Sequence, residues 1–245
     1  MSELRGRVAL VTGGAVRVGR SLVLACAAEG MDVAVHYRSS AAEAEEVAAE
    51  CRALGVRAIT VAGDLARAEE CRRIVADAQA GLGAVDVLVN SAANFVSGPV
   101  LEVPPERVRL ALAVNLEAPL FLSQAAAPGM IARGWGRIVN VNDVAGLEPW
   151  PRFEIHSVAK AGLLMLTRAL AQALAPEVLV NGIAPGTVLM PEEAPAGAAA
   201  RSAAKTVLGR LGSPDDIAGA LRYLLSADYV TGHTLVVDGG RMVRP

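Results

Sequence analysis

Val8-Ala9-Leu10-Val11-Thr12-Gly13-Gly14-Ala15-Val16-Arg17-Val18-Gly19-Arg20 reads as a buried strand, a glycine-bearing turn and the start of a helix. Four apolar residues in a row suit a strand covered on both faces. Glycine in the turn lets the backbone approach a ligand closely, with the amides and dipole of the helix start facing an anion. The turn follows the first strand and precedes a helix, which is the context that phosphate binding requires.

Outward from this turn, short apolar runs alternate with longer helical patterns. Val8–Thr12, Asp32–His36, Ala58–Ala62, Val85–Asn90, Arg137–Val141, Val178–Ile183 and Thr234–Val237 read as strands. Helical spacing covers Arg17–Glu29, Ala41–Leu54, Ala66–Gly81, Pro105–Arg133, Phe153–Ala175 and Pro214–Ser226. This alternation predicts one α/β domain over residues 1–245, a doubly wound, seven-stranded parallel sheet with right-handed crossovers. Thr187 to Lys205 breaks the rhythm with Pro191, Pro195, Gly197 and three alanines at 198–200. It follows a strand end, where open α/β sheets bind ligands, so a substrate lid is expected over 187–206 rather than a plain surface insertion.

The chain has 245 residues, of which 53% are hydrophobic and only 3% aromatic, so Ala, Val, Leu and Ile must build the core. A net charge of -2 argues against bulk attraction to nucleic acid or to an anionic membrane. Cys26, Cys51 and Cys71 fall in helical stretches, and His36, His156 and His233 are scattered, so no metal site is expected. No uninterrupted apolar run approaches the ~18 residues of a membrane helix. A cytoplasmic protein acting on a small molecule is the expectation.

At the end of the second strand, a carboxylate would bond a ribose 2′-hydroxyl and repel a 2′-phosphate. Here the run is His36-Tyr37-Arg38-Ser39-Ser40, with no acid until Glu43. Arg38 can pair with a phosphate bidentately, Ser39 can donate a hydrogen bond, and His36 is expected to add a third contact. NADP(H) is therefore favoured over NAD(H). Asp64, in Gly63-Asp64-Leu65, ends the third strand; it can contact the adenine or cap the following helix.

The opening turn resembles the Thr-Gly-x-x-x-Gly-x-Gly turn of short-chain dehydrogenases/reductases, with Arg17 at the middle glycine. The likeness continues through Asn90-Ser91-Ala92-Ala93, Asn115, Asn181, Pro185-Gly186-Thr187 and Val237-Asp238-Gly239-Gly240. It implies a Rossmann-type fold and a homotetramer. It also implies a cofactor site drawn from Gly13, Arg17, Val18 and Gly19 in the turn and from Leu65, Asn90, Ser91 and Ala92 at later strand ends. Pro185, Gly186 and Thr187 would lie beside the nicotinamide, and Lys160 would hold the ribose.

The chemistry sits on the fifth helical stretch. His156 and Lys160 are four residues apart and share a helix face, and the segment resembles the family's Tyr-x-x-x-Lys helix with histidine for tyrosine. Thirteen residues before His156, where the family has serine, stands Asp143. That aspartate resembles pteridine reductases, as do Arg17, the His36–Ser39 run and Phe95. The resemblance implies Asp143, His156, Lys160 and Asn115 as the catalytic set, with Arg17 on the substrate side and Phe95 stacking on a pterin or folate-like ring. Histidine is a different acid from tyrosine, with a reference pKa of ~6.5 against ~10. It can donate as imidazolium, orient a water when neutral, or leave the proton to Asp143. Ketone or 3-oxoacyl reduction, and an NADPH-binding subunit without turnover, are the alternative readings.

Overall fold

The computed structural model describes residues 4–190 and 194–243. Seven parallel strands form a single sheet: β1 (Val8–Val11), β2 (Asp32–Tyr37), β3 (Ala58–Ala62), β4 (Val87–Asn90), β5 (Gly136–Val141), β6 (Val178–Pro185) and β7 (Thr234–Val237). Their order is β3-β2-β1-β4-β5-β6-β7. The chain winds outward from β1 in one direction and from β4 in the other, so the order reverses between them. A crevice at such a reversal is where this architecture binds ligands.

The connecting helices are α1 (Arg17–Ala28), α2 (Ala41–Ala53), α3 (Ala68–Leu82), α4 (Pro105–Leu112), α5 (Ala118–Ala132), α6 (Glu154–Leu174), α7 (Ala198–Ala203) and α8 (Pro214–Ser226). Alternate residues of each strand point to opposite faces. Ala9, Val11, Val33, Val35, Val87 and Val89 join Leu22, Ile217 and Leu221 of α1 and α8. Leu10, Leu88 and Ile138 join Ile74, Leu122 and Met130 of α3 and α5. Both layers are aliphatic, as the composition requires, and among the described residues the fully buried large side chains include no aromatic. β1, β4 and β5 are buried along their whole length, while the edge strands β3 and β7 are partly exposed.

The single helix expected over Pro105–Arg133 runs without interruption from Pro105 to Ala132, and at Ala113–Glu117 its winding widens into a π-type turn. Asn115 lies in that turn and its side-chain amide donates to the carbonyl of Ala111 at 2.9 Å, so a side chain competes inside the helical ladder. The helical stretch Pro105–Ala132 has the length and apolarity of a membrane span by composition, with a mean hydropathy of 1.3. Ala118, Leu122, Ala126 and Met130 of this stretch are buried in the core against the sheet. The expected lid contains the short helix α7, and its residues 191–193 lie outside the described residues.

Candidate active site

A cleft of about 1010 Å³ runs along the carboxyl ends of the strands. At one end lies the β1–α1 turn. Gly13 sits at φ +62°, a left-handed conformation, and Gly19 packs so tightly that a Cβ there would lie 1.9 Å from the carbonyl oxygen of Gly13. No other residue fits at position 19. Arg17 occupies φ 54° without being glycine, a conformation costing about 1–2 kcal/mol. Its guanidinium reaches across the cleft to the carbonyl oxygens of Leu189 and Met190, at 3.2 and 3.5 Å. The expected phosphate ligand therefore ties the turn to the segment after β6.

Tyr37, Arg38, Ser39, Asp64 and Leu65 line this end of the cleft, as read from the sequence. His36 departs from its expected role. It is 2% exposed. Its Nδ1 accepts from the Gly13 amide at 3.1 Å, and its Nε2 lies 3.2 Å from the carbonyl of Gly63. Both nitrogens are engaged, so the ring braces the glycine turn against β3 and has none left for a phosphate. Burial pushes its pKa down from 6.5 to about 4, which keeps the ring neutral. Asp64 accepts from the Ala66 amide through Oδ1 at 3.1 Å, a local turn-capping role.

Asn90 also departs from expectation. Its amide donates to Asn140 at 2.8 Å, and Asn140 donates to Thr167 at 2.9 Å. This buried chain pins β4, β5 and α6 together and does not line the cleft. Thr12, which the sequence reading passed over, holds the β4 loop instead. Its hydroxyl oxygen accepts from the Ser91 and Ala92 amides at 2.9 and 3.2 Å. Val18, Gly19, Ser91, Ala92, Pro185, Gly186 and Thr187 line the cleft as expected.

At the other end, α6 buries a stripe of His156, Lys160, Leu163, Thr167 and Ala171 against the sheet. Lys160 donates from Nζ to the carbonyl of Val141 at 2.8 Å and lines the cleft. Burial pushes its pKa down to about 8, and the carboxylate of Asp143 pulls the other way. Asp143 ends β5. Its Oδ1 accepts from the Ala145 amide at 2.8 Å, which fixes the carboxylate, and its Oδ2 lies 3.4 Å from Nε2 of His156.

The site is layered. His156 is wholly buried and does not line the cleft. The ring of Phe95 stacks on it, with centroids 4.3 Å apart and planes at 21°. One face of Phe95 is thus taken by His156, and the residue remains 57% exposed on its other side. Nδ1 of His156 faces the carbonyl oxygen of Asn94 at 3.4 Å. Asn115 clasps that same residue, donating to Asn94 O at 2.8 Å and accepting from its amide at 3.3 Å. Asn115, Asn94, His156 and Asp143 form a line in which Asn94 and Asp143 line the cleft and Asn115 and His156 do not. His156, expected on the substrate side, is therefore set back from the cleft wall, and Asp143 stands in front of it. Asn94 escaped the sequence reading because its backbone carbonyl does the work, and a carbonyl has no residue signature.

Residues 14–241 match a protein-family model described as enoyl-(acyl carrier protein) reductase. An L-rhamnose 1-dehydrogenase (NAD(P)(+)) from a Sphingomonas species is 38% identical over 251 residues, covering 99% of both chains. A 3-oxoacyl-[acyl-carrier-protein] reductase from a Synechocystis species is 34% identical, covering 99% of this chain and all of the relative. Among solved structures, a blue fluorescent protein from a metagenomic library, in complex with NADPH, superposes with a TM-score of 0.89. It is 34% identical over 97% of this chain and 98% of its own.

Proposed function

The chain belongs to the short-chain dehydrogenase/reductase family, and on that premise we propose that it is an NADPH-dependent reductase of a C=N bond in a flat heterocycle of the pterin or folate kind. The observation that carries the reading is Asp143, a carboxyl group fixed at the cleft wall with His156 directly behind it. Hydride addition to a C=N bond needs a proton on nitrogen, and a protonated carboxyl group delivers it through one oxygen while the other accepts from the further N–H donors that a pterin-type ring carries and a simple ketone lacks.

The cofactor fits the residues present. The Gly19 approach leaves backbone bare where a pyrophosphate would lie, and Arg38 and Ser39 face the cleft where a carboxylate would exclude a 2′-phosphate. When bound, NADPH supplies the hydride. Lys160 would hold the ribose hydroxyls, anchored by its bond to Val141. Asp143 gives its proton to the substrate nitrogen and takes another from His156 Nε2. Asn94 O holds the far side of that ring, and Asn115 holds Asn94. The outer face of Phe95 offers a stacking surface of about 0.5–1.5 kcal/mol beyond burial.

A second reading, carbonyl or 3-oxoacyl reduction, is favoured by the activities named for the relatives. NADPH oxidation with dihydrobiopterin and dihydrofolate, beside acetoacetyl thioesters and simple ketones, separates the two. The proposal expects turnover of the pterins by wild type and a shifted pH profile in His156→Tyr. Turnover of ketones alone replaces it with the carbonyl reading. Cofactor binding without any turnover, repaired by His156→Tyr, marks a scaffold that lost its proton donor.

A further inference from the structure

Several arginines on the outer surface of this protein have carboxylates beside them: Arg20 with Glu50 at 2.7 Å, Arg67 with Glu69 at 2.7 Å, and Arg73 with Glu70 and Asp77 at 2.6 Å. Among the described residues, Arg17, Arg38, Lys160, Arg201, Lys205 and Arg241 line the cleft, against two acids, Asp64 and Asp143. Among the described residues, neither Arg201, Lys205 nor Arg241 has a carboxylate within ion-pair distance.

These three cations come from two segments that pack together, α7 with the turn after it and the chain before Arg241, where the Leu208 amide donates to the Gly239 carbonyl at 3.1 Å. Arg201 and Lys205 sit with Ala198 and Ser202 at positions i, i+3, i+4 and i+7, one face of α7 and the turn that follows it, and all four line the cleft. Arg201 is steadied by a bond from Nη1 to the carbonyl of Ala196 at 3.2 Å. Arg241 enters from the chain's far end. Its guanidinium lies 4.8 Å over the ring of Trp150, in the loop joining Asp143 to α6, and donates to Thr187 Oγ1 at 3.3 Å. The three cations therefore belong to the chemical end, across the sheet from the Arg38 and Ser39 pair.

We propose that Arg201, Lys205 and Arg241 form an anion subsite that takes a carboxylate or phosphate carried by the substrate beyond its reducible bond. This rests on the reading of the cleft as a reductase site and narrows its substrate class to anionic molecules. Cations that line one cleft with no carboxylate paired to them among the described residues are stabilised by a bound anion. Trp150, with Phe153 edge-on to it at 6.5 Å, gives apolar cover on the Arg241 side.

An anion here has two sources, the substrate or the cofactor's own phosphates, and affinity measurements distinguish them. Calorimetric titration of the NADP⁺-loaded protein compares folate, which carries carboxylates, with biopterin, which carries none. Steady-state turnover compares acetoacetate with its ethyl ester. Wild type is set against the double variant Arg201→Gln/Lys205→Gln, whose exposed side chains put the fold at no risk. The anionic member of a pair should be preferred by about tenfold or more in wild type, and the preference should collapse to within about twofold in the variant. NADPH affinity should stay the same. Failure of both pterins, with a charge-dependent preference for acetoacetate, overturns the C=N reading and leaves the subsite standing. Absence of any anion preference in either pair overturns the subsite, as does an NADPH affinity that falls with the two cations.

Discussion

Two buried histidines stand at opposite ends of one cleft. His36 is 2% exposed and His156 is 0% exposed, yet the groups around their rings differ in polarity. His36 lies between a donor, the Gly13 amide, and an acceptor, the Gly63 carbonyl. A neutral imidazole has one of each and satisfies both. His156 lies between two acceptors, the Asp143 carboxylate and the Asn94 carbonyl. A neutral ring satisfies only one of them, and only the doubly protonated ring satisfies both. Burial alone does not separate a structural histidine from a chemical one; the hydrogen-bonding polarity of its surroundings does. His36 completes a circuit, whereas His156 faces two acceptors and completes none while it carries a single N–H.

Asp143→Asn breaks the contrast most severely. The amide keeps the acceptor for Ala145 but can neither hold nor pass the proton of His156. Turnover should fall about a thousandfold, within the usual range for loss of a positioned acid, while NADPH affinity stays within about twofold. Turnover reduced less than about tenfold would return the proton chemistry to another group.

The next effect is on stability and belongs to His36. Its pKa is lowered on folding, from 6.5 to about 4. Between those values the unfolded chain binds the proton and the folded one does not, so stability rises with pH across that window and is lost on acidification. A drop of that size corresponds to about 3 kcal/mol, an order-of-magnitude figure. Denaturant midpoints taken from about pH 7 down to about pH 4 should show this loss. In His36→Met the loss should be largely flattened, against a lower stability at neutral pH of about 2 kcal/mol from the two unpartnered backbone groups. A variant that retains the full acid slope would place its origin elsewhere.

Much of this was legible in the sequence, and its limits follow a pattern. The strand runs and the turn from Val8 to Arg20 placed the sheet within a few residues, because apolar runs and glycine punctuation are local signals. The spacing of His156 and Lys160 put both on the buried stripe of α6, and the thirteen-residue step to Asp143 put the carboxylate beside the ring. Depth was not legible. That Phe95 comes from the loop after β4 to cover His156 is a tertiary fact, and nothing in the residues near either one signals it. The same holds for His36, whose side chain reads as a phosphate contact until the Gly13 amide is found 3.1 Å away. The π-type turn at Asn115 has no local signal, because the segments on both sides keep helical spacing.

The smallest effect tests that depth directly. Phe95 is largely exposed and touches the buried histidine through one ring face, so Phe95→Ala removes a stacking contact of about 0.5–1.5 kcal/mol without opening the core. Stability should barely change. The accessibility of the histidines should. His233 is exposed, while His36 and His156 are shielded. A histidine-acylating reagent such as diethyl pyrocarbonate should therefore modify His233 in wild type and leave the other two intact, as read by mass spectrometry of peptides. In Phe95→Ala, His156 should become the second reactive site while His36, enclosed by backbone on both sides, stays protected. Reaction at both would mean that the variant loosens the whole cleft. Protection of both would assign the burial of His156 to the packing of α6, and Phe95 would then be free to move onto a substrate without uncovering the ring beneath it.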